Sequence, residues 1–180
     1  MDRVRLFYKD MGEIIGGDGC SVIRLVDEAE QRSLCFICDK HMADQLTMRL
    51  NSAAPCYKLL PEVLLGVLTD ESTQLEITIY GIMSGEYLVG VENKATSTFK
   101  PIRMSDAVLL HYIAKVPLYI MNSLMDTQST AYVPNPVGLS VPINTLETKR
   151  LQQELERAVD EEDYRKASLL HEELQKRQEV

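Results

Sequence analysis

The twenty residues PIRMSDAVLLHYIAKVPLYI, positions 101–120, decide how the rest of this chain must be arranged. A polar cluster, Arg103-Met104-Ser105-Asp106, runs straight into the most apolar segment of the sequence. Ser105 has the side chain of an N-cap, and Asp106 falls in the first turn, where a carboxylate suits the positive end of the helix dipole. Ala107, Val108, Leu109, Leu110, Tyr112, Ile113 and Ala114 put apolar groups on every face, the pattern of a helix enclosed by protein. Pro117 stops it, and Leu118-Tyr119-Ile120-Met121 reads as a short strand. A charged pair, Arg103 and Asp106, is thereby held at the mouth of a buried helix.

Working outward, the 180 residues are 45% hydrophobic, enough for one good core plus an appendage. The net charge is −8 and both halves are acidic, which argues against tight nonspecific binding to duplex nucleic acid through a basic patch. Four cysteines (Cys20, Cys35, Cys38, Cys56) accompany no signal-peptide pattern, so a reducing cytoplasm is predicted. Cys35 and Cys38 have metal-ligand spacing, but in a strand-like run three residues place the thiols on opposite faces, and free buried thiols are the simpler reading. No segment approaches the length of a membrane span.

Before the opening stretch, Val4 to Tyr8 reads as a strand and Met11 to Gly19 as a glycine-rich turn. The run Gly16-Gly17-Asp18-Gly19 lacks the lysine and following helix of a phosphate-binding loop. Cys20 to Val26 and Ser33 to Cys38 should pair antiparallel across a polar connection. Asp39 stands as N-cap to a helix over Lys40 to Leu50, and a second apolar helix runs from about Leu59 to Leu68. Leu75 to Ile82 and Tyr87 to Val91 form a hairpin around Ser84-Gly85-Glu86, and Phe99 to Arg103 leads into the buried helix. The predicted class is α/β (α+β), a mixed, largely antiparallel sheet with packed helices.

Beyond it the composition changes. Pro134, Pro136, Gly138 and Pro142 mark a stiffened linker over 127–144, separating a body (1–126) from a tail (145–180). Asn144-Thr145-Leu146-Glu147 has the form of a capping box, followed by a helix with Leu151, Leu155, Ala158 and Val159 along one stripe. Asp160-Glu161-Glu162-Asp163 interrupts, and Tyr164, Ala167, Leu170 and Leu174 line a second helix. So small a hairpin must dock or associate to be stable.

On these residues the tail resembles the UVR motif, the helical hairpin shared by the UvrB and UvrC excision-repair proteins, with His171-Glu172 where the family has Arg-Asp. The resemblance implies protein–protein association, with a partner or as a homo-oligomer, through Leu151, Leu155, Tyr164, Ala167 and Leu174. The body, from about Arg3 to Met125, resembles the bifunctional nuclease domain family, which implies action on DNA or RNA. Arg103, Ser105, Asp106 and Ala107 match its Arg-Pro-Ser-Asp-Ala signature, with Met104 in place of proline. In a second stretch Tyr57 replaces arginine, Pro61 histidine and Glu62 aspartate, while Asp44 stands at one acidic position and Met42 at another.

Hydrolysis of a phosphodiester needs an activated water and a clamp on the phosphate. Asp106, Glu62 and Asp44 are the candidates to hold a divalent metal, Mg or Mn, with Asp106, Arg103 and Glu62 as the catalytic set. Arg103 and Ser105 would hold the substrate phosphate. The structural alternative pairs Arg103 with Asp106 and leaves Glu62 and Asp44 as surface carboxylates. His111 lies about 140° round the helix from Asp106, so the two make no acid–base pair, and a packed histidine is expected. Two functions follow from this reading: a metal-dependent nuclease, or a noncatalytic adaptor that keeps the fold and works by association.

Overall fold

A computed structural model describes residues 2–14, 19–51, 55–67, 74–136, 139 and 141–178. Among the described residues eight strands form one sheet in the order β6-β5-β4-β7-β1-β2-β3-β8. The strands are β1 (Arg3–Glu13), β2 (Ser21–Asp27), β3 (Arg32–Cys38), β4 (Leu75–Met83), β5 (Glu86–Asn93), β6 (Thr98–Ile102), β7 (Leu118–Met121) and β8 (Thr130–Ala131). The helices are α1 (Lys40–Leu50), α2 (Leu60–Val67), α3 (Met104–Ala114), α4 (Asn122–Gln128), α5 (Thr148–Asp160) and α6 (Tyr164–Gln178). The mixed, mostly antiparallel class expected from the sequence is the one observed.

The opening stretch supplies α3 and β7. No residue of α3 is exposed, as its all-round apolar pattern requires, and Ala107 and Val108 are fully buried. Lys115 closes the helix in the left-handed conformation (φ 56°), two residues ahead of Pro117. β7 then inserts between two groups of strands, parallel to β4 (Ile77 opposite Leu118, Ile79 opposite Ile120) and antiparallel to β1 (Leu6 opposite Leu118). The Pro117 carbonyl accepts from the Ile77 amide at 2.8 Å, which starts the parallel ladder. Ser105 does not cap α3. The helix begins at Met104 with Arg103 as the cap residue and no side-chain cap bond, so Ser105 lies inside the first turn.

Other expectations held or shifted for local reasons. Asp39 caps α1, its carboxylate accepting from the Met42 amide at 2.8 Å. β1 runs on to Glu13 instead of turning at Met11, because after a bulge between Tyr8 and Asp10 it stays paired with Ser21–Ile23. Gly16, Gly17 and Asp18 of the glycine run, and Leu68, lie outside the described residues. Phe99–Ile102 is not just a lead-in: it belongs to β6, an edge strand whose Phe99 ring lies over Gly90, where any Cβ would come within 2.0 Å of it. The expected linker begins later than 127, since α4 runs to Gln128 and β8 pairs with Arg32 and Ser33. The expected capping box is replaced by a short 3-10 turn over Ile143–Thr145, with Glu147 preceding α5 and making no side-chain cap bond.

The main core lies between the sheet and the helices, around Leu6, Ile23, Leu25, Leu46, Ile77, Leu118 and Ile120. β2 is buried on both faces. Its second face is closed by the chain after β8, where Tyr132 and Val133 cross Arg24. The Arg24 guanidinium pairs through two nitrogens with Asp10, donates to the Val133 carbonyl at 2.9 Å, and lies 5.0 Å from the Tyr132 ring centre. Cys35 stands opposite Arg24 on that face, whereas Cys38 belongs to the main core, so the two thiols do point to opposite sides. Burial pushes both up to about 11, and none of the four cysteines is in a disulfide.

The tail forms a separate small core from Leu151, Ala158, Ala167, Leu170 and Leu174, with Ile143, Leu146 and Leu155 against it. Lys166 bridges to Glu154 across the hairpin at 2.8 Å and holds that carboxyl below its usual range. Among the described residues no helix is long and apolar enough to cross a membrane.

Arg24→Ala removes the buried fork that ties β1, β2 and the chain after β8 together. A loss of about 2–3 kcal/mol is expected in urea unfolding, against a much smaller loss for Lys9→Ala, whose pair with Glu30 is at the surface.

Candidate functional site

The signature residues sit where β6 hands over to α3. Ile102 packs on the core and Met104 is buried, so the backbone between them is held extended at Arg103 (φ −67°, ψ 148°) with its side chain outward. Arg103 is 71% exposed, yet its Nε and Nη2 donate to Asp106 Oδ2 and Oδ1 at 2.7 and 3.1 Å. That two-pronged bond within the first helical turn is the structural alternative foreseen from the sequence. It engages both oxygens of Asp106.

Glu62 is not an unpartnered surface carboxylate. Arg49, buried on α1, donates from Nε to Glu62 Oε1 at 2.6 Å and from Nη2 to Oε2 at 2.9 Å, and its Nη1 holds the Gln45 carbonyl at 2.8 Å. The pair clamps α2 onto α1. Asp44 is exposed on α1 and borders a different cavity, of about 700 Å³, together with Glu13, Lys40 and Thr47. Among the described residues no three His, Cys, Asp or Glu side chains come together in a way that could hold an ion. Asp106 and Glu62 each give both oxygens to a guanidinium and Asp44 borders a different cavity, so the three carboxylates are not brought together in this arrangement.

Arg103, Met104 and Ser105 instead border a cleft of about 350 Å³. Its floor is Phe36, Cys38 and Tyr87; its far wall is Thr145, Glu147 and Arg150, which belong to the tail. The Tyr87 hydroxyl is buried with no hydrogen-bond partner among the described residues, and burial pushes its pKa well above the usual phenol range. Tyr87, Glu147 and Arg150 were not legible as site residues, because nothing in local periodicity brings positions 87, 103 and 150 together. His111 is buried, as expected, with Nδ1 2.7 Å from the Val116 carbonyl.

On the tail, Leu151, Ala167 and Leu174 face one another inside the hairpin and Leu155 is half-buried against them. Of the five residues expected to meet a partner, Tyr164 alone is fully open to one, beside the exposed Val159; Leu169 is exposed as well. No protein-family model matches the chain, and neither does any curated protein.

Burial lowers the His111 pKa below its usual value, outweighing the bond to Val116, so the folded state holds the imidazole neutral. The unfolded chain takes up a proton first as pH falls, and stability is lost below the ordinary histidine pKa of about 6.5. His111→Asn keeps a donor for Val116 without titrating. Wild type should lose stability relative to this variant as pH drops from about 7 to about 5; a flat difference would show that His111 is not held neutral.

Proposed function

We propose that this chain acts by association, as a noncatalytic protein of nuclease-like fold, and that its first partner is a second copy of itself. The observation that carries this is α2. Five of its eight residues are Leu or Val, none is buried, and Leu60, Val63, Leu64 and Val67 are 44–76% exposed, flanked by exposed Tyr57 and Leu50. An apolar helix this open on a protein of −8 net charge is an association surface. Its one charged residue, Glu62, is neutralised by Arg49, so two acidic chains meet there without like-charge repulsion. The tail, with Tyr164 and Val159 at its bend, offers a second surface for a protein partner.

Sedimentation of the full chain should give a mass above the 20.4 kDa of one copy, little changed by high salt because the strip is uncharged. Leu64→Glu should weaken self-association by at least about tenfold with unchanged circular dichroism. A wild-type chain that stays monomeric at every concentration, or a variant that assembles equally well, sinks the idea.

One observation favours the nuclease reading: Arg103 presents an exposed guanidinium at a cleft that Arg150 also borders, an arrangement able to meet a phosphate. That reading requires Asp106 to leave Arg103 when a metal and substrate bind. Purified protein would be incubated with single- and double-stranded DNA and RNA in Mg²⁺ and in Mn²⁺, beside Asp106→Asn. Association alone predicts no cleavage by either; cleavage by wild type that falls at least about a hundredfold in the variant establishes the enzyme.

A further inference from the structure

We infer that the C-terminal hairpin is a hinged lid over the Arg103 cleft, held shut at the β4–β5 turn. The body and the hairpin have separate cores, joined by a segment that carries Pro134, Pro136 and Pro142. The two cores share no residue, so opening the contact between them takes no side chain out of either. Between them lies the cleft, with Arg103, Met104 and Tyr87 on the body side and Thr145, Glu147 and Arg150 on the hairpin side.

The closing contact is small and specific. Ser84 and Gly85, both at positive φ (50° and 89°), form the two-residue turn between β4 and β5. A Cβ on Gly85 would lie 2.6 Å from the Leu146 carbonyl oxygen and 2.9 Å from Arg177 Nη1, so the hairpin rests directly on the glycine. Arg177 in turn fixes the start of the hairpin, donating to the carbonyls of Leu146 (2.7 Å) and Asn144 (3.1 Å) and to Thr148 Oγ1 (3.3 Å). Across the cleft, Glu86, Glu147 and Arg150 make no ion pair among the described residues, so no strong charge contact resists opening. The lid belongs to one chain and does not depend on whether copies associate. A partner that takes hold of the hairpin would uncover the buried Met104, Cys38 and Tyr87 beside the already exposed Arg103.

Two buried cysteines provide the test. Cys38 forms part of the cleft floor, whereas Cys35 lies on the other face of the sheet opposite Arg24, and burial raises both thiols to about the same value. The full chain would be labelled with a maleimide and the modified cysteines located by peptide mass. Arg177→Ala loosens the hairpin's start, and Gly85→Asn keeps a residue type that tolerates positive φ while pushing the Leu146 carbonyl away. Both should raise labelling of Cys38 about tenfold over wild type and leave Cys35 unchanged, the mark of a local opening. Unchanged Cys38 in both variants, or Cys38 rising only in step with Cys35, overturns the lid.

Discussion

The four-residue ladder of β7 is the interaction on which the rest depends. Leu118 and Ile120 are fully buried and stand between Ile77 and Ile79 on one side and Leu6 and Val4 on the other. Remove that strand and the sheet falls into two antiparallel groups, β4-β5-β6 and β1-β2-β3-β8. Because β7 is parallel to β4, the chain needs a crossover to reach it, and α3 is the last part of that crossover. Burying α3 and joining the two halves of the sheet are therefore one event. The helix has to be apolar all round because it is packed where those halves meet.

The arginines divide the remaining polar work. Arg24 locks the chain after β8 across β2, Arg49 locks α2 onto α1, and Arg103 closes on Asp106 at the start of α3. Each uses the planar fork of the guanidinium to engage both oxygens of one carboxylate, a geometry lysine cannot copy. The same pairings bear on function, since the acidic groups that hydrolysis would call on are held in place by structure. What remains unsatisfied is different in kind: the apolar strip of α2, the open bend of the tail, and the Tyr87 hydroxyl beneath the hairpin. These features are the basis of the proposed association, and the cleft that the tail shares with the signature stretch is why the two have to be considered together.

Elements whose signals are local could be read from the residues alone. The β2–β3 hairpin, α1 with its Asp39 cap, α3 with its stop before Pro117, and the tail hairpin with its break at Asp160–Asp163 all depend on spacings of two to four residues and on turn chemistry. β6, α4 and β8 were missed because their identity comes from a neighbour. Thr98–Ile102 is a strand since β5 is there to pair with it, and Thr130–Ala131 since the edge of β3 is open to it.

The site divides along the same line. Sequence by itself determined that Arg103 and Asp106 would stand three residues apart at the start of a buried helix, close enough to pair with each other whatever the rest does. Tertiary structure alone decided that Glu62 answers to Arg49 thirteen positions away, that Asp44 borders a different cavity, and that Arg150 of the tail shares a cleft with Arg103 of the body. The physical reason is range: helix and strand periodicity are set by backbone geometry over a few residues, while the pairing of distant side chains follows from how whole elements pack.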